Sequence, residues 1–191
     1  ENTLVTDPDV KHTTKALESL DFFVVQDMFL TDTAQKAHVV FPAAAFTEVD
    51  GFFTNSDRRI QRIRKASDPP GEAKPDWWII AEVAKRMESG VHFDYASSSE
   101  VFDELASVSP IYAGLDYDRI DSGELHWPVP DHDHPGTPVL HEGVFLNGKG
   151  KLQLLDYVPP SENPDDEYPF YLTTGRRLPT YHTNTMTGRS E

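Results

Sequence analysis

An aspartate at the end of an apolar run, and a cluster of arginines further along, carry most of the chemistry this sequence offers. Asp27 follows Phe22-Phe23-Val24-Val25-Gln26, which puts its carboxylate at the carboxyl end of a short strand, the edge where α/β domains gather ligands. There it could accept two hydrogen bonds from a guanine-type N–H edge, with the Thr31 hydroxyl nearby, or it could cap the surface loop that follows. Arg58, Arg59 and Arg62, joined by Arg64 and Lys65, form an island of positive charge in a chain of net charge −15. Guanidinium groups grip phosphate or carboxylate in bidentate fashion, and in an acidic protein they also pair with its own Asp and Glu. Both readings stand on the residues alone.

A second polar group, Thr174-Gly175-Arg176 through Tyr181-His182, suits a buried ligand or an interdomain seam. His126, His132, His134 and His141 lie among prolines, glycines and aspartates, but their spacing matches no metal motif and reads as an acidic loop. The 191 residues include no Cys, so they supply neither disulfides nor thiolate ligands for zinc or an iron–sulfur cluster. A G-x-S-x-G elbow, an H-E-x-x-H helix, a Walker loop and a G-x-G-x-x-G turn are all missing. A binding surface is therefore expected, with no catalytic residue and no metal ligand in this stretch. With 32 acidic against 17 basic residues, nucleic acid is disfavoured as a partner. No apolar run is long enough to span a bilayer and no leader pattern stands at the start, so a soluble, cytoplasmic chain is expected.

The elements that must hold these groups read as an α/β domain. A helix is expected over 10–19 after Asp7-Pro8-Asp9, a strand over 22–25 covered on both faces, a short helix from a Thr31 or Asp32 cap through Lys36, and a strand at Val39-Val40-Phe41 stopped by Pro42. Strand, helix, strand is the Rossmann-like βαβ pattern. Residues 48–55, around Gly51, read as a loop. Pro75-Asp76 opens the best helix, with Trp77, Ile80, Ala81, Ala84 and Met87 on its inward face. Ser97 to Glu100 caps another through Ala106. Residues 109–150 read as irregular loop anchored by Trp127, with strands expected at 151–157 and 168–172 and a boundary near 160–167.

Taken in order, Glu1-Asn2, Val25-Gln26-Asp27 with Thr31 and Thr33, Val39 to Ala44, Glu48 with Gly51, Thr54-Asn55 and Arg58-Arg59-Ile60-Gln61 resemble the molybdopterin oxidoreductase family, specifically the catalytic subunit of molybdenum- or tungsten-dependent formate dehydrogenases. Pro70-Gly71-Glu72, Pro75-Asp76-Trp77, Trp127-Pro128, Glu167-Tyr168-Pro169, Thr174, Arg176 and Tyr181-His182 extend the resemblance over nearly the whole chain. His38 stands where such proteins commonly carry Asp, and Phe52 where Thr or Val commonly follows the glycine.

The resemblance implies an incomplete α/β molybdopterin-binding domain over 1–162 and the beginning of a β-barrel-like dinucleotide-binding domain over 163–191. It implies molybdopterin guanine dinucleotide with Mo or W as cofactor. Asp27 would read the guanine base with Thr31 beside it; Gly51, Asn55, Arg58 and Arg59 would shape the cofactor surface; Arg176, Tyr181 and His182 would meet the pterin. The 4Fe-4S cluster, the metal ligand and its neighbouring His are expected in the remainder of the same subunit, with electron-transfer subunits as further partners and formate as substrate of the intact enzyme. A related nitrate reductase, or a non-catalytic structural relative in a respiratory complex, is the alternative.

Overall fold

The computed structural model describes residues 2–87, 90–123, 125–143, 145, 147–182 and 184–189. The chain divides into two units, residues 1–138 and 139–191. The sequence sets a boundary further along, near 160–167.

In the first unit, α1 (Thr3–Thr6) and α2 (Val10–Glu18) precede β1 (Val24–Asp27). The Asp9 carboxylate accepts from the His12 N–H and starts α2, the helix expected after Asp7-Pro8-Asp9. β1 pairs in parallel with β2 (Val39–Pro42), Val24 opposite Val39 and Asp27 opposite Pro42. The short helix expected between them is a single 3₁₀ turn, Ala34–Lys36, closed by the extended backbone of Ala37. Contrary to the expectation of a strand covered on both faces, only Val25 of β1 is buried, and Val24 is 41% exposed.

His38 helps to fix the register. Its backbone N–H donates to the Phe23 carbonyl at 2.8 Å, and its Nδ1 accepts the Phe23 N–H at 2.9 Å. An imidazole lone pair thus does the accepting that a carboxylate would do at this position. Lys74 extends the pairing beyond β2: its N–H donates to Pro42 and its carbonyl accepts from Ala44.

Residues 48–55, read from sequence as a loop, contain β3 (Gly51–Thr54), which forms an antiparallel hairpin with β4 (Arg59–Ile63). β5 (Leu125–His126) joins β4 as the third strand. The core lies under this sheet, where Ile60, Phe102, Ala106, Leu115, Ile120 and Val129 cluster with Phe52 and Tyr117 packed against them. Phe102 belongs to α4 (Ser98–Val108), whose Ser97 hydroxyl accepts from the Glu100 N–H as the cap its sequence announces. Ile120 belongs to α5 (Tyr117–Ser122), capped by Asp116, a helix inside the stretch expected to be irregular.

α3 (Asp76–Arg86) forms where Pro75-Asp76 predicts, but with a different inward face. Ile79 and Ala81 are buried, whereas Ile80 is 56% and Met87 71% exposed. Its first turn is fixed by Asp76, which accepts from the Gln26 side chain, and by the Lys74 pairing to β2; these contacts set the rotation of the helix. Glu82 accepts from Arg86 and Lys85, which hold its carboxyl below the ordinary range.

In the second unit the strands expected at 151–157 and 168–172 are not formed among the described residues. Leu152, Leu154, Leu155, Phe170 and Leu172 are exposed. A strand needs a ladder partner for its backbone groups, and among the described residues this unit provides none. Among the described residues, no helix is long and apolar enough to cross a membrane.

Candidate functional site

The candidate site in the first unit is the carboxyl end of β1 and the loop that leaves it. Asp27 ends the strand half-buried, and its backbone carbonyl accepts from the Ala43 N–H at 3.1 Å. One carboxylate oxygen, Oδ1, accepts from the Phe29 N–H at 3.2 Å, and among the described residues no other donor reaches the group. Met28 and Leu30 are exposed beside it.

Thr31 is fully buried at 0% exposure, and its hydroxyl accepts from the Ala34 N–H at 3.2 Å. It therefore holds the loop from inside. Thr33, also buried, is gripped by Asn2, whose Oδ1 accepts from both the Thr33 N–H and the Thr33 hydroxyl. Asn2 and Thr33 enter the sequence reading only as part of a family resemblance, and the bonds between them, 31 positions apart, were not foreseen.

The arginine cluster stands apart from that loop, on the β3–β4 hairpin. Arg58 occupies its tip with φ 71°, and its guanidinium donates to the carbonyls of Trp127, Thr137 and Pro138 while lying 5.6 Å from the centre of the Trp127 ring. Arg59 pairs with Asp57 at 3.2 Å, and its N–H donates to the Asn55 side chain at 2.9 Å. Arg62 stacks 3.9 Å over the Tyr117 ring, reaches Asp121 and donates to the Gly51 carbonyl at 2.7 Å. Arg64 shares Asp121, and Lys65 holds the Asp68 carboxyl below its ordinary range. Of the two readings open for this island, the structure displays pairing within the protein. The structure does not bring Gly51, Asn55, Arg58 and Arg59 together with Asp27 as one constellation; among the described residues, their side-chain hydrogen bonds lie within the hairpin and with residues 127, 137 and 138.

Sequence reasoning missed a further arginine of the same kind. Arg119 of α5 donates to the carbonyls of Gly114, Asp131 and His134, tying the 131–134 loop to the helix. His132 faces Asp116 at 3.3 Å, and the His134 Nδ1 accepts from the Gly136 N–H, so both imidazoles serve the loop itself.

In the second unit, Arg176, Tyr181 and His182 border one hollow of about 660 Å³, together with Gly175, Arg177, Leu178 and Thr180. The Tyr181 and His182 rings meet edge to face at 4.3 Å. All three candidates are exposed.

Comparison with known proteins adds the rest. The sequence profile of the molybdopterin oxidoreductase family matches residues 1–86. The chain is 52% identical over 191 residues to the F420-dependent formate dehydrogenase subunit alpha of Methanocaldococcus jannaschii, covering 99% of this chain and 28% of that protein. It is 50% identical over 193 residues to the F420-dependent formate dehydrogenase 2 subunit alpha of Methanococcus maripaludis, covering 100% of this chain and 29% of that protein. An assimilatory nitrate reductase catalytic subunit of Bacillus subtilis is 40% identical over 199 residues, covering 99% of this chain and 28% of the relative. Among solved structures, acetylene hydratase from Pelobacter acetylenicus superposes with a TM-score of 0.55 at 25% identity, over 71% of this chain and 18% of its own. The chain thus spans under a third of the length of the relatives it matches. The profile match falls on the strand, loop and hairpin described above, the sequence matches run the length of the chain, and the structural neighbour has the corresponding mixed α/β fold: the chain is similar to the molybdopterin oxidoreductase family over residues 1–86 and to formate dehydrogenase alpha subunits along its whole length.

Proposed function

We propose that this chain is the part of a formate dehydrogenase catalytic subunit that holds and places a molybdopterin guanine dinucleotide, the intact enzyme oxidising formate to carbon dioxide at a molybdenum or tungsten centre. The observation that supports it most is Asp27. A guanine base presents N1–H and an exocyclic amine on one edge, and a carboxylate that, among the described residues, has one oxygen unbonded and the other carrying a single amide can accept both. The exposed Met28 and Leu30 offer apolar surface against the face of a base. The residues present therefore fit the nucleotide end of the cofactor.

On this reading Thr31 steadies the loop beside the base from within. Gly51, Asn55, Arg58 and Arg59 keep the hairpin wall in shape, and Arg176, Tyr181 and His182 contribute a polar pocket for the pterin. The segment from 163 onward is the beginning of a β-barrel-like domain, and β1 and β2 are part of a Rossmann-like sheet. When bound, the metal and its pterins supply the two-electron redox chemistry, and the protein supplies binding, orientation and field. The 4Fe-4S cluster and the metal's protein ligand come from the remainder of the subunit. Electron-transfer subunits complete a cytoplasmic enzyme, with F420 as acceptor on the strength of the two F420-dependent relatives.

In the full-length protein, Asp27→Ala is expected to weaken guanine dinucleotide retention by about 1–3 kcal/mol, because two base donors lose their acceptor. The measurement is the guanosine monophosphate released by acid hydrolysis per polypeptide, and unchanged content rules Asp27 out as the base reader. The 191-residue chain by itself is expected to give no formate-dependent dye reduction, and turnover by it alone would overturn the division of labour proposed here. The nitrate reductase likeness keeps a second reading in play, and nitrate-dependent oxidation of a reduced dye by the intact enzyme, without formate activity, would favour it.

A further inference from the structure

We infer that Asn2 and Thr33 are positioning residues that aim the Asp27 carboxylate, and so set how well the site tells guanine from a purine lacking the exocyclic amine. The inference rests on the reading of Asp27 given above. Asn2 is only 2% exposed, and every polar atom of its side chain is engaged with the loop that follows β1. Its Oδ1 accepts the Thr33 N–H at 3.1 Å and the Thr33 hydroxyl at 2.7 Å, while its Nδ2 donates to Asp32 at 3.1 Å. The Thr33 oxygen in turn accepts the Leu4 N–H at 3.0 Å. Asn2 is itself fixed, because its carbonyl accepts from the Val5 and Thr6 N–H groups at the start of α1.

The clip reaches Asp27 through a short series of bonds. The Phe29 N–H donates to Asp27 Oδ1, the Phe29 carbonyl accepts the Thr31 N–H at 2.9 Å, and the Thr31 hydroxyl accepts the Ala34 N–H. The loop is thus held at its near end by the carboxylate and at its far end by Asn2. Freeing the far end lets the Phe29 amide drift and releases the carboxylate from the donor that, among the described residues, orients it. The carboxamide is the group the clip needs, since one atom accepts and the other donates; a carboxylate there would face Asp32 with like charge and no donor.

The test uses the full-length protein prepared without its cofactor, titrated with guanosine 5′-monophosphate and with inosine 5′-monophosphate, which lacks the amine. Asn2→Asp and Thr33→Val are each expected to lower the guanosine-over-inosine preference by about fivefold, the size of coupling typical within one hydrogen-bond network. Thr33→Ser, which keeps the hydroxyl, is expected to retain it. A role in folding alone would weaken both nucleotides together and leave the ratio where it was. If Asp27→Ala abolishes the preference while Asn2→Asp and Thr33→Val leave it intact, the positioning role is overturned and the base reader stands. If Asp27→Ala leaves it intact, the base-reading role fails and the positioning role falls with it. Should Asn2→Asp not fold, the Thr33→Val and Thr33→Ser pair decides by the same ratio.

Discussion

Gly114→Ala lowers the stability of the first unit by about 3–5 kcal/mol, the range reached when a side chain is forced into space already filled by backbone. A Cβ on this buried glycine would lie 1.9 Å from the Asp131 carbonyl oxygen and 2.2 Å from its carbon. Neither chain can give way without loss. The Gly114 N–H donates to Val129 at 2.7 Å, Val129 is fully buried in the core, and Arg119 grips the carbonyls of Gly114 and Asp131 together. The check is the urea midpoint at constant slope. Gly123→Ala is the control: a Cβ there meets nothing within 4 Å, and the expected change is within about 0.5 kcal/mol. Equal midpoints for the two variants would refute the steric argument.

Arg58→Ala is expected to cost about 3 kcal/mol, because it removes a charged donor from three backbone carbonyls and a cation from the face of Trp127. Arg58→Lys should recover little of that, since a single ammonium cannot reproduce the fork that reaches Trp127, Thr137 and Pro138. Arg58→Gly separates backbone from side chain: it relieves the left-handed φ of 71° and still loses the clamp. A lysine variant as stable as the parent, but poorer in cofactor, would mean that this guanidinium serves a phosphate rather than the fold. Urea midpoints, measured beside guanine dinucleotide content, distinguish the two roles.

Elements announced by local chemistry were legible in the sequence. Asp9 and Ser97 cap their helices as their residue types require, Pro75 opens α3, and Val39-Val40-Phe41 forms β2. The β3–β4 hairpin was not legible, because Arg59-Ile60-Gln61-Arg62-Ile63 breaks the alternation expected of a half-buried strand. Arg62 belongs there by placing its guanidinium over the Tyr117 ring, an arrangement composed of residues distant in sequence. α5 was hidden for a related reason: Tyr117 to Ser122 is polar, and Ile120 alone is buried. At the candidate site, residue types pointed to Asp27 and its strand end, whereas the Asn2 clip joins residues 31 positions apart in sequence and emerges only from the fold.

The arginine clamps have a further consequence, for behaviour in concentrated electrolyte. Arg58, Arg62 and Arg119 hold loops chiefly through carbonyl dipoles in half-buried positions, whereas Lys36–Glu18, Arg64–Asp121 and Lys65–Asp68 are ion pairs open to solvent. At 1 M salt the screening length shrinks to about 3 Å, so the open pairs fade and so does the mutual repulsion within a chain of net charge −15. The clamps lose little, because the carbonyl oxygens that Arg58, Arg62 and Arg119 hold carry no net charge to be screened, and only the Arg62 contact with Asp121 weakens with the open pairs. A first unit tied together in this way should be as stable in brine as in dilute buffer, its acidic surface made easier to bear by the very ions that loosen its salt bridges.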